Sequence, residues 1–198
     1  MKSLFAALAA AACFSATAAD WSKIRIGVEG AYPPFSSIAT DGKLVGFDID
    51  IAQALCAEMK AQCTLVQQDF DGMIPGLQAK KIDAVIASMS ITEERQKVVN
   101  FSDKYYSTPA RIVARESARI AIPDGLKGKK IGVQRTTIHE RFAAATFKGS
   151  EIVRYAKQDE VFLDLKSGRI DLSLADSVAG DTGFLKTAAG KGFVFIGP

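Results

Sequence analysis

Arg95 sits three residues after Thr92 in "ITEERQKVV", in the first turn of a helical run that already carries Glu93 and Glu94. If Thr92 caps that helix, the backbone dipole disfavours a cation there by roughly a few tenths of a kcal/mol. A salt bridge to Glu94 or Asp103 would account for it. The alternative is that Arg95 joins the helix N-terminus in holding an anion, with the bidentate geometry that suits a carboxylate. Two acids pose the complementary question. Glu29 opens "EGAYPPFS", directly after the strand-like "IRIGV", in a stretch that two prolines keep out of helix starts and central strands. Asp176 closes "IDLSLAD", where most other residues are apolar, so its charge needs a partner: it is either the N-cap of the next helix or it faces an ammonium group. Ser90 and Thr137 are helix caps or further hydrogen-bond donors to the same anion. Tyr32 and Phe70 either pack ordinarily or sandwich an apolar stem or a guanidinium plane. Taken together, these types suit a small molecule with one carboxylate and at least one cationic group.

The elements that must position these residues alternate regularly. Strand-like "IRIGV", "CTLVQ" and "IDAVIAS" are interleaved with helical runs at 47–61, 70–80 and 92–99. The pattern resumes with "ARIVAR", "KKIGVQ", "EIVRYA" and "IDLSLAD", interleaved with 137–146, 159–167 and 176–187. Such alternation predicts α/β units with largely parallel sheets. There is an internal echo: "LQAKKIDAVIAS" from Leu77 matches "LKSGRIDLSLAD" from Leu165, and "KIRIGVEGAY" from Lys23 resembles "KKIGVQRTT" from Lys129. Two matches in the same order predict two lobes of similar plan. In open α/β sheets, ligands sit beyond the carboxyl ends of the strands, against helix N-termini. That rule selects Glu29 and Tyr32; Ser88, Ser90 and Thr92; Gln134, Arg135, Thr136 and Thr137; and Asp176. A cleft between two lobes would gather all four loops.

Composition narrows the partners. With 48% apolar residues in 198, the chain can bury one or two compact domains. The net charge is +3 and the basic residues are scattered, which argues against nucleic acid and anionic membrane surfaces. The opening "MKSLFAALAAAACFSATAAD" reads as a secretory signal peptide over residues 1–19, cut near Ala18, Ala19 or Asp20. Cys13 raises a lipid-anchored reading, but "AAAC" lacks the large aliphatic residue expected of such a site. Cleavage leaves Cys56 and Cys63, either a disulfide in an oxidising compartment or two reduced buried thiols. An enzyme is disfavoured: the single histidine, His139, belongs to no H-E-x-x-H, and neither a G-x-S-x-G nor a phosphate-binding P-loop motif is present. No metal and no cofactor is expected.

"IRIGVEGAYPPFS", "GFDIDIAQALCAEM", "DFDGMIPGLQAKKIDAVIASMSITEERQKVVNFSDKYY" and "GRIDLSLADS" resemble the periplasmic amino-acid-binding proteins of ABC importers, in the lysine/arginine/ornithine, histidine and opine group. The resemblance runs from about Lys23 to the end of the chain. It implies a two-lobed, hinged α/β clamp, with lobe 1 over 20–108 and lobe 2 over 109–198. It implies a periplasmic monomer that captures a cationic amino acid or opine and delivers it to a membrane permease. Tyr32 and Phe70 match the aromatic pair flanking the ligand side chain. Arg95 matches the carboxylate-binding arginine, aided by backbone near Ser90 and by Thr137. Asp176 and Ser88 match the α-ammonium partners, and Cys56 and Cys63 the disulfide of the group. Glu29 stands where lysine/arginine binders carry a shorter Asp, as in opine binders. Ala87 replaces a hydroxyl residue, and His139 stands where some relatives have Gln, either altering the pocket edge or facing solvent. Family members also continue beyond "FVFIGP" to complete lobe 1, so the resemblance implies a chain lacking that return segment. A dehydratase-like enzyme on the same fold, or a ligand-sensing domain, is the competing reading.

Overall fold

The computed structural model describes residues 21–197; the signal peptide, its cleavage point and Cys13 lie outside the described residues. The first group of elements is β1 (Lys23–Val28), β2 (Ala31–Tyr32), β3 (Ser36–Ile38), β4 (Leu44–Val45), α1 (Phe47–Glu58), β5 (Gln62–Gln67), α2 (Met73–Gln78), β6 (Ala84–Val85) and α3 (Glu93–Gln96). The second is β7 (Ala110–Arg115), β8 (Lys130–Gln134), α4 (Ile138–Thr146), β9 (Glu151–Tyr155), α5 (Gln158–Ser167), β10 (Leu172–Asp176), α6 (Ser177–Gly180) and β11 (Phe193–Ile196).

The two groups repeat one plan. β1 is the central strand of a parallel sheet ordered β5-β1-β6, and β8 lies between β9 and β10, parallel to both. In each, apart from the small β2–β4 sheet inserted after β1, the central strand is followed by a helix, one neighbouring strand, a second helix and the other neighbouring strand. The echo extends to single contacts. A Cβ on Gly27 would lie 2.6 Å from Ile82 and 3.0 Å from Met73; one on Gly132 would lie 2.3 Å from Ile170 and 2.8 Å from Val161. These are corresponding residues of the repeated segments, and glycine lets the second helix close on the central strand in both. Asp83 and Asp171 also correspond: each accepts a 2.8 Å hydrogen bond from the backbone N–H of a β-strand residue, Arg25 and Lys130 respectively.

Strands covered on both faces need apolar residues on both, which is why the runs read as nearly continuous. Ile24, Ile26 and Val28 pack with Ile49 and Ala52 of α1, while Phe70, Met73, Ile82 and Ala87 form the opposite layer. In the second unit Ile131 and Val133 pack with Ala143 of α4, and Val161 and Leu165 of α5 pack with Ile170 and Ala175.

Parallel pairing holds around β1 and around β8; in the larger sheet β7 is the departure, antiparallel to both β10 and β11. It enters from the irregular stretch 100–109 rather than from a crossover helix, so the constraint that makes strands parallel does not apply to it. "IDAVIAS" contributes only Ala84–Val85 to the ladder, and the turns at its carboxyl end are freed to face the other unit. The Tyr-Pro-Pro loop is not wholly irregular either, since Ala31–Tyr32 pairs with Ser36–Ser37 in a small antiparallel sheet with β4.

Cys56 and Cys63 form a disulfide with a Cα–Cα separation of 6.1 Å, fastening the end of α1 to the start of β5. Non-reduced peptide mapping is expected to join them. Replacing both by Ser is expected to lower stability by about 2–3 kcal/mol, read as a lower urea midpoint at constant slope. An unchanged midpoint would remove the crosslink from the stability of the fold.

Candidate functional site

The strand ends of the two units meet in one cleft. It is lined by Glu29, Tyr32, Phe70, Ser88, Ser90, Arg95, Thr137 and Asp176, together with Ala87, Gln134, Ile138 and His139. The eight residues given ligand roles by the family resemblance therefore face the same space, although they are spread over nearly 150 positions, whereas Thr92, Arg135 and Thr136, which the strand-end rule also selects, do not line it.

Arg95 reaches the cleft because Thr92 ends its extended backbone there and caps α3, accepting from the Arg95 N–H at 3.2 Å. Neither Glu94 nor Asp103 pairs with it; Glu94 bonds Arg141 instead. The guanidinium donates to the Ser90 carbonyl (2.7 Å) and to the Thr136 carbonyl of the second unit (2.9 Å), and its carbon lies 5.5 Å from the centre of the Phe70 ring. Burial lowers its pKa, and the nearby Arg141 adds to that. It is a partly desolvated cation held by neutral carbonyls, a favourable place for a carboxylate.

Asp176 stands at the N-cap of α6 but makes no cap hydrogen bond. Its carboxylate accepts from the Tyr32 hydroxyl (2.6 Å) and the Thr108 hydroxyl (2.7 Å), with His139 Nε2 3.5 Å away. Burial works to raise its pKa, but the His139 contact and the two hydroxyls outweigh it and hold the carboxyl below its ordinary range. An ionised carboxylate in a cleft suits an ammonium group. His139 does not face solvent: it is 8% exposed, and its Nε2 has no hydrogen-bond partner among the described residues.

Ser88 has a left-handed backbone (φ 53°), unusual outside glycine, and its hydroxyl donates to Asp48 Oδ2 at 2.8 Å. Asp48 is fully buried and also accepts from Tyr105. It anchors the Ser88 turn from beneath, a role the "GFDID" stretch signals only as a buried acid in need of partners. Gly46 caps the same helix at φ 128°; a Cβ there would lie 2.5 Å from the Phe35 carbonyl oxygen. Thr137 caps α4, accepting from Glu140 N–H, and donates to the Gln134 carbonyl at 2.7 Å.

Glu29 is one residue past β1, 3% exposed, and accepts from Gln134 Nε2 at 2.5 Å. Burial pushes its carboxyl up to about 7; the Gln134 hydrogen bond opposes this, while Asp159 and Asp69 reinforce it. Among the described residues, three ion pairs join the two units: Arg135–Asp71 at 2.7 Å, Lys157–Asp69 at 3.8 Å and Arg141–Glu94. In each, the acid belongs to the first unit and the base to the second, so the charges of the two units attract.

The chain can be placed on this geometry. Residues 24–164 match the bacterial extracellular solute-binding proteins, family 3. The chain belongs to this family. An L-arginine-binding protein of Pseudomonas aeruginosa is 52% identical over 198 residues, spanning 98% of this chain and 76% of the relative. A lysine/arginine/ornithine-binding periplasmic protein of Escherichia coli is 46% identical over 98% of this chain and 75% of its own length. The solved structure of an ancestral arginine-binding protein bound to arginine superposes with a TM-score of 0.85 at 38% identity, over 89% of this chain and 79% of that one. The periplasmic-binding-protein fold of this family 3 member is thereby shown, as is its kinship with amino-acid-binding components of ABC importers.

Proposed function

We propose that this solute-binding protein captures a cationic amino acid in the periplasm, between lobes spanning 20–108 and 109–198, and hands it to an ABC importer as a monomer. The observation that carries the reading is the charge layout of one cleft: a desolvated Arg95 bound only to carbonyls, an ionised Asp176, and a second buried acid, Glu29, with Tyr32 and Phe70 among the lining side chains. Arg95, with Ser90 backbone and Thr137, takes the α-carboxylate. Asp176 and Ser88 take the α-ammonium, and Glu29 takes the side-chain cation. Residues 1–19 direct export. Relatives that bind arginine, lysine and ornithine support the ligand class.

Binding without turnover is the expected behaviour. Calorimetry with Arg, Lys, ornithine, His, octopine and Gln should give one saturable site for the cationic amino acids, and mass analysis should recover each ligand unchanged. Absence of binding by every cationic ligand would overturn the reading, and conversion of a ligand would make the protein an enzyme.

A further inference from the structure

We propose that Gln134 reads the side-chain end of the ligand together with Glu29, and that its carbonyl oxygen sets a preference for a guanidinium over a primary ammonium. This rests on the proposed capture of a cationic amino acid.

The two residues hold corresponding places. Glu29 follows Ile26-Gly27-Val28 on β1, and Gln134 follows Ile131-Gly132-Val133 on β8, the central strands of the two repeated units. Each strand delivers its terminal side chain to the cleft, and the two side chains meet there. The repeat thus places an acid from one lobe against an amide from the other.

The amide's orientation is fixed by its neighbours. Its nitrogen donates to Glu29 Oε1 at 2.5 Å and to the Ala156 carbonyl at 3.1 Å, two acceptors that require the NH₂ group on that side. Both amide protons are thereby used, and Gln134 Oε1 receives no hydrogen bond among the described residues. Gln134 is only 3% exposed, and its side chain is among those lining the cleft, so the oxygen is an acceptor open to a ligand there. The cleft therefore offers a carboxylate that accepts from a neutral donor, beside a carbonyl oxygen that takes part in no hydrogen bond among the described residues.

A guanidinium matches that arrangement. Its planar fork carries five N–H donors, enough to take over Glu29 from the amide and to donate to Gln134 Oε1 in the same plane. An ammonium is a compact point charge that satisfies Glu29 by itself and gains less from a second acceptor at a fixed position. Gln134 consequently weighs on the choice between ligands as well as on affinity.

The test is the ratio of the lysine and arginine dissociation constants, measured by calorimetry on the wild-type chain and two variants. Gln134→Met keeps the length and removes the oxygen; the lysine-to-arginine ratio is expected to fall by about tenfold, the lower end for one hydrogen bond from a charged donor. Gln134→Glu keeps an acceptor at the same place, and the arginine preference is expected to persist. Reading the ratio, and not either constant alone, removes those effects of the substitution that act on both ligands alike. An unchanged ratio in Gln134→Met overturns the proposal. Should that variant fail to fold, loss of the arginine preference in Gln134→Glu overturns it equally. Failure of the wild-type chain to bind either ligand would instead strike the capture reading on which the proposal stands.

Discussion

Arg95→Ala is expected to weaken arginine binding by about 2–5 kcal/mol, roughly thirtyfold to several-thousandfold, because the α-carboxylate would enter a desolvated place without its countercharge. Arg95→Lys is expected to restore little of this. The native guanidinium reaches the Ser90 and Thr136 carbonyls with two different nitrogens while lying against Phe70, and an ammonium cannot reproduce that planar fork. Because the Thr136 carbonyl belongs to the second unit, losing Arg95 also removes one bond between the rims. Thermal unfolding without ligand separates these effects: a small shift in midpoint beside a large loss of affinity locates the loss in recognition. Near-native affinity for arginine in Arg95→Ala would take Arg95 out of the ligand site.

Much of this site was legible because its chemistry lies at strand ends, and strand ends are marked in the sequence. The repeated "IGV" and "ID" segments fixed two units of like plan, and the carboxyl ends of their strands supplied the lining residues. Arg95 stood out because a cation in the first turn of the expected helix over 92–99 conflicts with its dipole, although α3 proves to be the single turn Glu93–Gln96 with Arg95 in its last turn. What remained closed is the pairing across the cleft, since contacts over more than 100 positions leave no local signature. Nothing near Tyr32 announces that its hydroxyl meets Asp176, and nothing near Glu29 announces Gln134. His139 illustrates the same limit: on a short amphipathic helix its face is set by how α4 packs against β8, which spacing alone leaves undecided. The antiparallel β7 escaped because alternation of strands and helices reports the number of units and says little about a strand entering from a connecting segment.

The Glu29 carboxyl ties ligand capture to pH. Among the protein's own groups, burial raises its pKa from 4.5 to about 7, and its hydrogen-bond donor, Gln134, is neutral. A guanidinium or ammonium beside it favours the ionised form, so below neutrality a cationic ligand must expel a proton as it binds. The bound state then carries fewer protons than the free state. Affinity for arginine should therefore rise by about tenfold per pH unit from pH 5 to near 7 and level off above it, a gain of about a hundredfold. Stability of the ligand-free fold runs the other way. The folded pKa lies above the unfolded value, so the contribution of Glu29 is fully present below 4.5 and is lost as pH rises through about 7, up to about 3 kcal/mol. Glu29→Gln should flatten both slopes, raise ligand-free stability at pH 8 relative to the native chain, and weaken arginine binding there by about 1–3 kcal/mol while leaving neutral ligands little changed. Calorimetry in buffers of different ionisation heat, at pH 6 and pH 8, reads the proton directly: release is expected at pH 6 and little at pH 8. Equal proton release by the native chain and by Glu29→Gln would assign the proton to another group and leave Glu29 as a support for its loop.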